Sequence, residues 1–126
     1  MSGLRKTMRK ITVTYKAFDI VVVPFPFVDS EKSKRRPAVV LSSATHFNNK
    51  IDHSIMAMIT SARNEPWPLD YLIDDLKSTG LSKPSLVRMK FFTLDHRLIL
   101  EKIGKLSKKD QHAFGDNVKT LMARFF

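Results

Sequence analysis

Arg36 stands immediately before Pro37, where a basic loop gives way to the apolar run Ala38–Leu41. A guanidinium stays protonated at physiological pH and offers phosphate oxygens a planar fork of donors. Pro37 disfavours helical backbone at the residue before it, so Arg36 is better anchored than Lys32 or Lys34 of the same loop. Thr60 and Ser61 close a second apolar run, Ile55–Ile59. Hydroxyls at such a terminus either bind a phosphate oxygen or satisfy turn backbone. Glu31, in the loop of Arg36, is a candidate general base or a solvated carboxylate. Arg88 would project from a strand, to hold phosphate or to pair with one of the 12 acids. Metal-free RNA cleavage requires a base for the 2′-hydroxyl, positive charge on the phosphorane and a proton for the 5′-oxygen. Arginine suits the second task, and a donor aimed at developing charge contributes about 10²–10³ in rate. Phe25, Phe27, Trp67, Phe91 and Phe92 could stack unpaired bases. Trp67, between Pro66 and Pro68, is the one expected at the surface.

These groups need rigid support, and the chain offers short strands. Ile20–Val23 is a continuous β-branched run. Pro24 and Pro26 require that strand to leave the sheet or lie at an edge beyond Val23. Residues 29–36 form the basic loop, and Ala38–Leu41 is the next strand. Residues 44–52 connect it onward, with a turn expected at Asn48-Asn49. Ser54–Ile59, Leu69–Ile73, Ser85–Met89 and Leu98–Ile103 read as further strands, and Ile11–Tyr15 as a possible early one. Asp74–Thr79 reads as one helical turn closed by Gly80. Ser107 and Asp110 have the spacing of a helix N-cap. Phe114, Val118, Leu121, Met122 and Phe125 follow at helical intervals, forming a stripe expected to pack on the sheet. Strands followed by one helix argue for an antiparallel α+β or small-barrel fold, not a parallel nucleotide-binding sheet.

The 126 residues favour one domain. Residues 1–16 read as a basic, flexible arm holding five of the 22 basic residues and no acid; residues 17–126 read as the folded domain. The net charge of +10 points to a polyanion or an acidic protein as partner. With no cysteine, disulfides and thiolate metal sites are excluded, and a reducing cytoplasm is the compartment expected. No apolar run reaches the ~18 residues of a membrane helix, and no secretory signal is visible. The isolated glycines form no phosphate-cradling loop, and His46, His53, His96 and His112 lack metal-ligand spacing. The chemistry is expected to need neither metal nor organic cofactor.

Five blocks in order carry a resemblance: Asp19–Phe27, Arg35–Ser42, Ile59–Ser61, Gly80–Arg88 and Ile103–Ser107. Together they resemble the MazF/PemK toxins of type II toxin–antitoxin systems over about residues 17–124. The resemblance implies an SH3-like small barrel of antiparallel strands with a C-terminal α-helix. It also implies a homodimer whose groove cuts single-stranded RNA, sequence-specifically and without metal, to 2′,3′-cyclic phosphate and 5′-hydroxyl ends. The partner implied is an antitoxin whose acidic, flexible segment covers that groove. Carried over residue by residue, the resemblance makes Arg36, Thr60, Ser61 and Glu31 the catalytic candidates and Arg88 an RNA contact. Lys34, Arg35 and Arg63 would guide the RNA backbone. The chain departs from the family at Phe18, where glycine is usual, and at Lys90, where some members carry aspartate. Two other readings fit the same fold: a poison of DNA gyrase, and an RNA-binding module that does not cleave.

Overall fold

Among the described residues six strands pair into one antiparallel sheet: β1 (Asp19–Phe25), β2 (Lys34–Val40), β3 (His53–Ser61), β4 (Tyr71–Leu72), β5 (Ser85–Asp95) and β6 (Glu101–Lys105). Their spatial order is β4-β5-β3-β2-β1-β6, and the sheet curls into a half-barrel. Three α-helices accompany it among the described residues: α1 (Asn49–Ile51), α2 (Leu76–Thr79) and α3 (Lys108–Leu121). The computed structural model describes residues 13–27 and 32–126. The expected small antiparallel barrel with a C-terminal helix is the fold observed. Most of the basic arm lies outside the described residues, as does Glu31. Val13–Tyr15, the described part of the early strand expected at Ile11–Tyr15, is not strand.

Proline shapes the start of the sheet. Pro24 lies inside β1, opposite Arg35 of β2, whereas β6 pairs only with Asp19–Val22. The Val22 carbonyl accepts from the Leu100 amide on the β6 side. Pro24, two residues on, turns its missing donor toward that same side, where the ladder has already ended. The edge position expected from the prolines is what the sheet shows.

Several boundaries differ from those expected. β2 begins at Lys34, so Arg35 and Arg36 belong to a strand and not to the loop. Pairing with Val23–Phe25 continues the ladder past the apolar run. β3 extends through Thr60 and Ser61, and β5 runs on to Asp95. The turn expected at Asn48-Asn49 is instead a helical segment, Ala44–Asn48 running into α1 and ending at Asp52 in the left-handed region (φ 53°). Asn48 is buried there; its side-chain amide donates to the Tyr15 and Ser42 carbonyls at 2.9 Å each. The last strand starts at Glu101 because His96–Leu98 forms a helical turn capped by Asp95.

Both sheet faces are apolar. Ile20, Val39, Ala57, Ile59 and Val87 share one face with Leu106 and with Phe114 of α3. Val21, Val23, Ala38, Val40, Met56 and Leu94 fill the other, partly covered by Tyr15, Phe27, Phe92, Leu98 and Ile99. Helix α3 starts as its sequence predicts: the Ser107 hydroxyl accepts from the Asp110 amide at 3.1 Å. Asp110 is fully buried and accepts from the Tyr71 hydroxyl and from the amides of Asp74 (3.1 Å) and Asp75 (3.0 Å). The helix is thereby pinned to the β4–α2 segment. Only the first half of the expected apolar stripe packs: Phe114 is buried and Val118 packs beside it, whereas Leu121, the last residue of the helix, and Met122 and Phe125, beyond its end, are exposed.

Candidate active site

Strand alternation decides which cations can converge. Arg36 shares its face of β2 with Ala38 and Val40, so it rises from the edge of the second apolar cluster. Thr60 has the same relation to Met56 and Met58 on β3. Arg36 and Thr60 line one open cavity of about 190 Å³, with Met58 and Ile59 at its floor. Arg88 and Lys90 line it from β5, Phe25 from β1, and Asn64 and Trp67 from the β3–β4 loop.

The charge in this cavity is unbalanced. Arg36 is exposed, and among the described residues no carboxylate pairs with it. Lys90 is likewise free of an acid, its ammonium lying 5.3 Å from the centroid of the Phe25 ring. No acidic side chain is among the described residues lining the cavity. Thr60 is oriented by a neighbour: the Asn64 amide donates to its Oγ1. One of that oxygen's two acceptor positions is thus filled, and its hydrogen is left to donate elsewhere.

Arg88 behaves differently. Only 10% of its side chain is exposed. Its Nε donates to Asp70 Oδ1 at 3.1 Å, and its Nη2 to Asp70 Oδ2 at 2.9 Å and to the Glu65 carbonyl at 2.7 Å. Its Cζ lies 4.7 Å from the centroid of the Trp67 ring. Burial pushes the Asp70 carboxyl up, but the Arg88 hydrogen bond, the Trp67 amide and the guanidinium charge outweigh it and hold it below the ordinary carboxylate range. Arg88 is raised in turn, chiefly by the hydrogen bond to Asp70. Of the two roles open to Arg88 in the sequence, the structure shows the ion pair, formed at the cavity wall.

The other candidates lie elsewhere. Ser61 alternates away from Thr60, and its Oγ accepts from the Arg63 amide at 3.2 Å. Arg35 alternates away from Arg36 and reaches Glu101 of β6 at 3.7 Å. Lys34 and Arg63 are exposed and do not line the cavity. Glu31 falls outside the described residues. Sequence reasoning missed Asp70 and Asn64. It also took Lys90 only as a departure, although a spacing of two from Arg88 on one strand puts both on one face.

A larger cleft of about 540 Å³ lies at the opposite end of β3, lined by Tyr15, His53, Asp95 and His96 among others. Its polar groups are engaged with one another. His96 Nε2 is 2.7 Å from Ser54 Oγ, and Asp95 accepts from Arg97 Nη2 at 2.7 Å. Among the described residues it has no counterpart to the cations of the smaller cavity that pair with no described acid.

Comparison with known proteins agrees with this fold. Form-I MazF from Deinococcus radiodurans superposes with a TM-score of 0.69 at 20% identity, covering 89% of this chain and 99% of that one. The Mycobacterium tuberculosis toxin MazF-mt6 gives 0.66 at 18% identity, covering 83% and 96%. An endoribonuclease from a mycobacterial species, in complex with its cognate antitoxin, gives 0.68 at 10% identity, covering 89% and 96%. A search of curated proteins finds no match. The family model described as PemK-like, MazF-like toxin of type II toxin–antitoxin system matches residues 16–122, nearly the whole chain. A cavity lined by cations and by no acid among the described residues, on a curled antiparallel sheet, therefore sits in a chain that belongs to the PemK-like, MazF-like toxins of type II toxin–antitoxin systems.

Proposed function

We propose that this toxin is a sequence-specific, metal-independent endoribonuclease that cuts single-stranded RNA to 2′,3′-cyclic phosphate and 5′-hydroxyl ends. The observation that carries the proposal is the cavity in which Arg36 and Lys90, neither paired with an acid among the described residues, meet the Thr60 hydroxyl. A cavity so lined attracts a phosphodiester. Arg36 donates to the equatorial oxygens and is strengthened as they gain charge in the phosphorane. Thr60, its oxygen held by Asn64, donates its hydrogen to a phosphate oxygen and fixes the scissile group. Lys90 adds positive charge at the same wall. Glu31 is the carboxylate nearest in sequence to Arg36 and the candidate base for the 2′-hydroxyl. Ser61, Lys34, Arg35 and Arg63 lie outside the cavity, where Lys34 and Arg63 can still meet RNA flanking the cut. As with the antitoxin-bound relative, an antitoxin is the expected partner, through an acidic segment that complements the cavity. A homodimer in the cytoplasm is the proposed form.

The test is to incubate the purified toxin with a mixed RNA pool in EDTA and to sequence the new 5′ ends. Clustered cuts at one short motif, with cyclic-phosphate termini, are expected. Arg36→Ala should lower the cleavage rate by about 10²–10³ at unchanged fold. Equal cleavage by that variant would reject the role given to Arg36. Intact RNA with inhibited supercoiling would instead support the gyrase reading.

A further inference from the structure

Trp67 is the chain's single tryptophan, and its setting is more than that of a surface aromatic. It lies between Pro66 and Pro68, which restrict the backbone on both sides. Its amide donates to Asp70 Oδ2 at 2.8 Å, and its carbonyl accepts from the Asp70 amide at 3.2 Å. The guanidinium of Arg88 lies against the indole. That guanidinium is itself held by two bonds to Asp70 and one to the Glu65 carbonyl. Even so, 44% of Trp67 remains exposed, and the residue lines the same cavity as Arg36 and Thr60.

Arg88 is thus neutralised and buried, which suits it poorly to bind a phosphate and well to brace a ring. We infer that Trp67 is a preformed stacking platform for a nucleobase next to the scissile phosphate, with Asp70 and Arg88 as its positioning residues. The inference rests on the nuclease reading and deepens it. A base on Trp67 would fix where the RNA lies relative to Arg36. Because the loop is already ordered by two prolines and the Asp70 bonds, little further ordering is needed when the base arrives. Stacking is open to any base with a π-face, so the platform recognises a base as opposed to bare backbone.

The lone indole reports on itself. The probes are random-sequence 2′-O-methyl RNA hexamers, which lack the attacking hydroxyl, and a hexamer of abasic sugar-phosphate of the same charge. Base-bearing hexamers should quench Trp67 emission on binding, and the abasic hexamer should bind without quenching. By anisotropy of end-labelled hexamers, Trp67→Ala should weaken the base-bearing probe about ten-fold and the abasic probe hardly at all. Trp67→Phe should recover part of that loss. Asp70→Asn should narrow the gap between the two probes, a change that general loss of stability would not produce. Binding of base-bearing hexamers with unaltered emission, or an equal effect of Trp67→Ala on both probes, would overturn the inference even if RNA is still cut. Absence of binding by either probe would overturn it as well. Quenching without cleavage of natural RNA would sustain the platform and reject the nuclease.

Discussion

At the scale of single residues, neighbours in sequence have opposite fates. Arg35 and Arg36 are adjacent, yet one meets Glu101 while the other lines the cavity. Thr60 and Ser61 divide in the same way. The two-residue period of a strand accounts for both pairs, and it was legible once Arg36 and Thr60 were known to lie within strands. The sequence marked their types but not the strand limits, because charged residues interrupt the apolar signal that delimits a strand. Asp70 was illegible for another reason. It lies 18 residues before Arg88, directly after Leu69 in the left-handed region (φ 65°), and the β4–β5 register brings the two together. Lys90→Glu should weaken RNA binding and make the salt slope shallower by about one phosphate's contribution, as read from log affinity against log salt. Asn64→Ala should slow cleavage less than Arg36→Ala does, since it frees Thr60 to rotate without removing it.

At the scale of elements, glycine and aspartate decide how the helices attach. A methyl group at Gly104 would fall 2.4 Å from the Ser78 carbonyl oxygen, so α2 rests directly on the backbone of β6. At Gly115 of α3 no described atom beyond the helix's own neighbouring backbone lies within 4 Å of such a methyl. Gly115→Ala should therefore stabilise the protein by about 0.5–1 kcal/mol, whereas Gly104→Ala should destabilise it, both read from urea midpoints. The N-cap of α3 and the Gly80 cap of α2 were legible because capping is local chemistry. The end of α3 was not, because the apolar spacing continues through Met122 and Phe125 past Leu121, where the helix stops. The buried Asp110 shows what a cap residue can acquire from tertiary context. Burial alone would push its carboxyl up, but the Tyr71 hydroxyl, the amides of Asp75 and Asp74 and the Ser107 hydroxyl hold it below its ordinary value. Asp110→Ala should cost about 3 kcal/mol, since it strands the donors that converge there.

At the scale of the whole molecule, stability and the partner's charge both depend on solution conditions. Asp70, Asp95 and Asp110 are all held below the usual carboxylate range, Asp95 at about 2 through its hydrogen bonds from Arg97. A carboxyl depressed on folding stabilises the native state above its unfolded value, near 3.9, and that contribution fades as pH falls toward the folded value. Urea midpoints should thus change little on account of these three groups above pH 5 and drop steeply between about pH 4 and pH 2. Single-stranded RNA binding should weaken with salt at a log–log slope of about −3 if about four phosphates are neutralised.

The cavity has no scaffold of its own. Arg36 is two residues from Ala38 and faces Val23 across the ladder, while Ile59, under Thr60, belongs to the cluster that holds Phe114. The groups that would act on a phosphodiester are therefore mounted on the strands that keep the chain folded. Drawing Arg36 away from Thr60 would break the pairing of β2 with β3. An inhibitor that leaves the fold intact should act at the opening or on the β3–β4 loop that carries Asn64 and Trp67, and the amides of Val39 and Ala57 should then exchange with deuterium equally slowly with or without it.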